Sequence, residues 1–252
     1  MVDHRESLNF AERWLRDGLL VSQSPGFFQV IEVDMSACQT ILKKLRQQGV
    51  KVTYTHLFVR ATAIALKRHS TLHQLVSSSR RLYPGKIDIG LSVAGISFVA
   101  PVMVIKNAGE KSLRDIATEI INNRSYIREQ ENKQFAFLKK WGWIVPFGFL
   151  RRWILRFLLS KLWFRRQGVG TFQISCIPDV DIFVPFMFNT SAILGIGRVC
   201  ERVLAIGGEV VVRPTVMISC CVDHKVWDGI KAAQFINELK QILELGELGE
   251  EI

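Results

Sequence analysis

The chain holds no C-x-x-C pair, and its five cysteines (Cys38, Cys176, Cys200, Cys220 and Cys221) are odd in number. Reduced, mostly buried thiols in a cytoplasmic protein fit that pattern. The opening residues, MVDHRESLNFAERW, are charged from the third position and have no apolar core, which excludes a secretory signal there. Prolines number only seven and charged residues make up 22%, a composition unlike that of disordered chains. No internal repeat, low-complexity tract or Ala/Pro-rich linker divides the sequence. Acids are missing from one place in particular. None falls between Lys139 and Arg166, a span with eight basic residues that leaves the rest of the chain only +2 of the net +10. The basicity is therefore local, and no nucleic-acid partner is expected.

What is present is a chain of 252 residues with 48% apolar side chains, enough for one domain with a substantial core. The stretch FFQVIEVDMS (27–36) nearly alternates and predicts a strand. ACQTILKKLRQQG has helical spacing and stops at Gly49. Residues 53–70 place Leu57, Phe58, Ala61, Ile64 and Ala65 on one helical face, with Thr55 as the expected cap. Two strands flank Gly95. Ser112-x-x-Asp115 has the capping-box pattern and opens a long helix. Strands follow at 168–177, 191–199, 202–206, 209–212 and from Thr215, with a tight Gly207-Gly208 hairpin. The closing helix, 228–244, turns Ile230, Phe235, Ile236, Leu239 and Leu243 inward. Later strands that pair without helical crossovers predict a mixed sheet covered by helices, an α+β fold.

The apolar run at 215–222 ends in SCCVDHKVWDG, with His224 four residues before Asp228-Gly229. Alone, this is a strand end, a polar turn and a helix capped by Asp228, or else a catalytic base on a turn. Other stretches bear on the choice: VTYTHLFVRATAIALKRHSTL, IDIGLSVAGISFVAPVMVIKNAGEKSLRDIA, GTFQIS and AILGIGRVCERVLAIGGEVVVRP. With the His224 block they make five ordered matches over roughly residues 25–245. Together they resemble the catalytic domain of the dihydrolipoamide acyltransferases of 2-oxo acid dehydrogenase complexes, which has the chloramphenicol acetyltransferase-like two-layer fold.

The resemblance implies an acyltransferase with a coenzyme A thioester as acyl donor and no metal. In it His224 is the general base, Ser175 the donor to the tetrahedral oxyanion, and Asp228 the residue that steadies the His224 loop, with Gly229 allowing close packing behind it. It also implies a homotrimer, or a multiple of one, with each site between subunits. Only some 25 residues precede the match, so no covalent lipoyl group is expected on this chain. The acceptor becomes a small or lipid-like thiol, hydroxyl or amine. A non-catalytic trimeric scaffold, and a dehydrogenase-complex core served by lipoyl domains of another chain, are the alternatives. His56, His69 and His73 have no Cys or His at ligand spacing and are read as structural.

The sequence departs from the family at FNTS (188–191), where a Pro-Pro turn is usual, at Lys225 for arginine, and in the bulky FVPFMF (183–188). The largest departure is 135–166, a basic insertion carrying four of the six tryptophans. Its longest charge-free run, WGWIVPFGFL, is too short to span a bilayer. A helix from Phe149 puts Arg151, Arg152, Arg156 and Ser160 on one side of an otherwise apolar surface. Such a helix suits a membrane interface, making a cytoplasmic protein peripheral to a membrane, or packs on the body or another subunit with its arginines at the rim.

Overall fold

A computed structural model describes residues 8–249 except 22–25, 78–80, 96 and 98. Along the chain lie α1 (Phe10–Val21), β1 (Gly26–Asp34), α2 (Ser36–Gln47), α3 (Tyr54–Arg68) and a small pair, β2 (Leu75–Val76) and β3 (Arg81–Leu82). Then come β4 (Ile89–Ser92), β5 (Val102–Ile105), α4 (Leu113–Trp141), α5 (Gly148–Ser160) and α6 (Leu162–Val169). Strands β6 (Phe172–Cys176), β7 (Ala192–Ile196), β8 (Cys200–Ile206) and β9 (Glu209–Asp223) lead to the closing α7 (Gly229–Leu245). The main sheet has the order β1-β9-β7-β6-β4-β5, with β8 paired to β9. Strands β4, β6 and β7 are mutually parallel and the other pairs antiparallel, so the sheet is mixed as expected.

Alternation along the strands assigns the two faces. Val216, Ile218, Cys220 and Val222 of β9, with Phe172 and Ile174 of β6, enter the core beneath α2, α3, α4 and α7. Ser219 and Ser175 therefore face the other way. There the stretch around Phe183–Pro185 lies on the sheet: Ser219 Oγ donates to the Phe183 carbonyl at 2.7 Å. A Cβ on Gly195 would strike Pro185 and that same carbonyl, so glycine is what lets the loop descend. Cover on this face is incomplete, and Phe28, Val184 and Phe186 remain exposed.

Several expectations change. The cap of α3 is Thr53, not Thr55: Thr53 and His56 form a reciprocal capping box, with the Thr53 N–H donating to His56 Nδ1. The strand expected from residue 168 starts at Phe172, because α6 occupies 162–169. The two strands expected at 209–212 and from 215 are one. Pro214 interrupts the pattern where β9 passes from its ribbon with β8 into the sheet, and its carbonyl still accepts the Met35 N–H at 2.7 Å. The turn between β8 and β9 is as read, with Gly207 and Gly208 both at positive φ. Ile230 is 74% exposed and not inward, since α7 buries Ala232, Phe235, Ile236, Leu239, Ile242 and Leu243 instead. Helix α1 was not foreseen, although Asn9-x-x-Glu12 marks its start: Asn9 Oδ1 accepts the Glu12 N–H, and Glu12 accepts the Asn9 N–H.

The segment 135–166 folds as the end of α4, then α5 and α6. Its orientation reverses the expectation of arginines at a rim. Arg151 is 6% exposed and donates from Nε to Asp17 of α1 at 2.7 Å, while Arg152 reaches the same carboxylate at 3.1 Å. Arg151 also donates to the carbonyls of Val145 and Pro146. The aromatic side of α5 points out, with Phe149 at 68% and Trp153 at 65% exposure. Arg156 and Ser160, expected on the side of Arg151, are instead exposed on the aromatic side, so periodicity neither grouped these residues correctly nor said which side meets the body.

Candidate active site

His224 sits on a tight turn after β9. The Asp223 carbonyl accepts from the N–H groups of Val226 and Trp227, and its carboxylate accepts from the Lys225 N–H at 3.0 Å. The turn is pinned by Trp227. Its ring is 1% exposed and packs on Phe235 and Phe172 in the core. With the ring fixed, the Trp227 carbonyl stands 3.0 Å from His224 Nδ1. A carbonyl only accepts, so Nδ1 is the donor and Nε2 is the nitrogen that can take up a proton. The edge of Phe27 braces the imidazole, ring centroids 5.1 Å apart. His224 itself is exposed, which leaves Nε2 open to a reactant.

Asp228 does not touch the ring. It caps α7 by accepting the Lys231 N–H at 2.8 Å and pairs with Lys231 Nζ at 3.2 Å. Those Lys231 contacts, the backbone bond first, hold its carboxyl below the usual range. Its influence on His224 passes through the position of the turn. Gly229 has open space where a Cβ would stand, so the close packing expected behind it is not found among the described residues.

Ser175 is half-buried on the open face of β6, with no hydrogen-bond partner among the described residues. The register places it level with Gly195 of β7 and Ser219 of β9. His224 lies five residues beyond Ser219 toward the opposite end of the sheet. That separation is roughly 16 Å along the strands and about 10 Å across them. No side chain closes such a gap, so one chain does not bring Ser175 and His224 together.

A cleft of about 550 Å³ opens at the carboxyl ends of β4 and β6, under the start of α3 and beside α4. Thr55, His56, Met103 and Cys176 line it together with Lys51 and Arg124. Asp179 lines it as well, so the lining carries both signs of charge. Cys176 is no nucleophile at neutral pH, because burial pushes its thiol up to about 12. Among the described residues no group of three or more His, Cys, Asp or Glu is placed to hold a metal.

Residues 7–135 and 167–248 match the family of 2-oxoacid dehydrogenases acyltransferase (catalytic domain). The chain belongs to that family. It is similar to the dihydrolipoyllysine-residue succinyltransferase component of the 2-oxoglutarate dehydrogenase complex of Rickettsia bellii, 26% identical over 227 residues. That alignment takes in 86% of this chain and 48% of the relative, so the chain spans about half the length of the curated relatives it matches. Among solved structures, the dihydrolipoamide acetyltransferase of Azotobacter vinelandii superposes with a TM-score of 0.75 at 19% identity, covering 99% of this chain and 95% of that one. Chloramphenicol acetyltransferase superposes at 0.50 and 13% identity over 96% and 99%. The α+β acyltransferase fold is thus the one expected.

Within this acyltransferase domain the residue that sequence reasoning missed is Trp227. Its contribution to the site is a backbone carbonyl, which leaves no mark in residue type. The signal available was a bulky aromatic, with Val226 before it, inside an otherwise polar turn, a sign of a side chain anchored in the core. Residues 136–166 fall outside the family match.

Proposed function

We propose that the protein transfers an acyl group between a coenzyme A thioester and a thiol, hydroxyl or amine acceptor, in a site shared by two copies of the chain. The observation that carries this is the 3.0 Å contact between Nδ1 of the exposed His224 and the Trp227 carbonyl, which makes Nδ1 the donor and leaves Nε2 as the nitrogen that can accept a proton. Nε2 takes the proton of the acceptor, and the freed nucleophile attacks the thioester carbonyl. The Ser175 hydroxyl of a neighbouring copy donates to the oxyanion of the tetrahedral intermediate. Collapse expels the coenzyme A thiolate, which takes the proton back from His224. Asp228 serves by holding the start of α7, and no metal enters these steps.

The separation of His224 from Ser175 supports a homotrimer or a multiple of it, as does the exposed apolar surface of Phe28, Val184 and Phe186 on the Ser175 face. A trimer ring brings unlike ends of neighbouring copies together. Free cysteines fit a cytoplasmic enzyme. The acceptor is a small or lipid-like molecule on this reading. A second reading is favoured by the named relatives: a dehydrogenase-complex core in which the same chemistry runs between coenzyme A and an acyl-lipoyl group on another chain. A scaffold without activity has no use for the open Nε2.

The test is thiol release from acyl-coenzyme A, with and without free dihydrolipoamide, by the wild type and by His224→Ala. The variant should lose about 100- to 10,000-fold in turnover while staying folded. Near-wild-type turnover in folded His224→Ala protein sinks the mechanism.

A further inference from the structure

The surface built by residues 137–164 turns its aromatic groups away from the rest of the chain. Phe149, Trp153 and Phe157 form one stripe of α5 at four-residue spacing, and all three are more than half exposed. Trp143 and Phe147 before it and Trp163 after it are exposed as well. The rings lie on each other: Phe147 stacks with Phe149 at 5.7 Å and Trp153 with Phe157 at 6.2 Å between centroids. Cations border them. Lys161 Nζ stands 4.5 Å from the Phe157 ring centre and Lys140 Nζ 5.3 Å from that of Trp141. Lys139 and Arg156 are exposed too, and among the described residues none of these four has a carboxylate partner. No Asp or Glu occurs from 132 to 178. The other side of α5 is already taken up by Asp17.

We propose that this face docks on an anionic lipid bilayer, with its tryptophan and phenylalanine rings at the boundary of headgroups and acyl chains and its lysines on the phosphates. The inference goes beyond the acyl-transfer reading and does not depend on it. Three observations favour a bilayer over a second copy. A surface of one sign bordering exposed aromatics complements lipid phosphate, and lysines beside the rings can extend toward it. Exposed apolar surface of this extent needs a partner. The segment lies outside the family match, so an assembly common to the family does not require it, and the open sheet face offers a separate surface for a second copy. Among the described residues no helix is long and apolar enough to cross a membrane, and α5 with 13 residues lies along the surface.

The experiment is flotation of the intact protein with phosphatidylcholine vesicles, with and without phosphatidylglycerol, at rising salt. We expect binding at least roughly tenfold stronger to the anionic vesicles, lost as salt screens the lysines. The double variant Trp153→Ser, Phe157→Ser and the triple variant Lys139→Glu, Lys140→Glu, Lys161→Glu should each lose that binding and keep the solution mass and circular dichroism of the wild type. The triple variant changes only exposed side chains, so it keeps the test sound if the double variant misfolds. Equal binding to both vesicle types, or undiminished binding by the variants, overturns the proposal. So does a lipid-free change of mass in the double variant, which makes the face a subunit contact. Thiol release measured without vesicles is a separate readout, so failure of one reading is not failure of the other.

Discussion

Three histidines of this chain show how surroundings divide one residue type into different roles. His224 is exposed and held by one carbonyl, whereas His56 and His73 are buried by the helices around them. His56 Nδ1 accepts the Thr53 N–H, and His73 Nε2 stands 2.6 Å from the Thr171 hydroxyl. Burial lowers both from the usual 6.5 to about 4. The unfolded chain titrates near 6.5, so between about pH 6.5 and about 4 it binds protons that the folded chain refuses. Stability should therefore be full above that window and fall as the pH drops through it, by up to ~3 kcal/mol per histidine. Denaturant midpoints at pH 7, 5.5 and 4.5 check this, and His73→Gln should flatten the slope. A midpoint that does not move over that range contradicts it. At this scale His224 and Ser175 could be proposed from the sequence because they lie in recognisable blocks. That His224 is braced by Phe27 and Trp227 was not readable, since these contacts join residues far apart in the chain or act through the backbone.

The attachment of α5 to α1 is the main feature among the elements that periodicity left hidden. Asp17 lies 134 residues from Arg151, and nothing local marks them as partners. Both side chains are nearly buried, and Asp17 is also shared with Arg152. Removing one member of a buried pair leaves a charge without compensation and costs about 3–5 kcal/mol. Asp17→Ala should lower stability by about that amount, and trypsin should then cut at Arg151 or Arg152 sooner than elsewhere. Wild-type stability with an unchanged cleavage pattern would mean that the pair anchors nothing. Capping boxes are good signals here: Ser112–Asp115 opens α4 as its pattern says, and Asn9–Glu12 marks the start of α1 in the same way. Pro214 misled because a missing donor ends most strands, yet here it falls where β9 changes partners.

For the whole molecule, the order of the five blocks made the fold legible, since four of them carry strands of the main sheet and the first is α3, which packs on it. The proposed assembly came from the resemblance alone, and the distance between Ser175 and His224 supports it. A shared site makes a sharp prediction. His224→Ala should be all but inactive and Ser175→Ala should lose less, about 100-fold in turnover, but unfolded and refolded together they should regain activity. In a head-to-tail ring of randomly mixed copies, about a quarter of the sites unite an intact histidine with an intact serine. Activity of the mixture no greater than the sum of the two alone would place the whole site within one chain. On the proposed shared site, the same gap across the sheet gives turnover a threshold in concentration. A lone copy would be inert however well it folds, so turnover per chain should collapse on dilution below the point where copies meet.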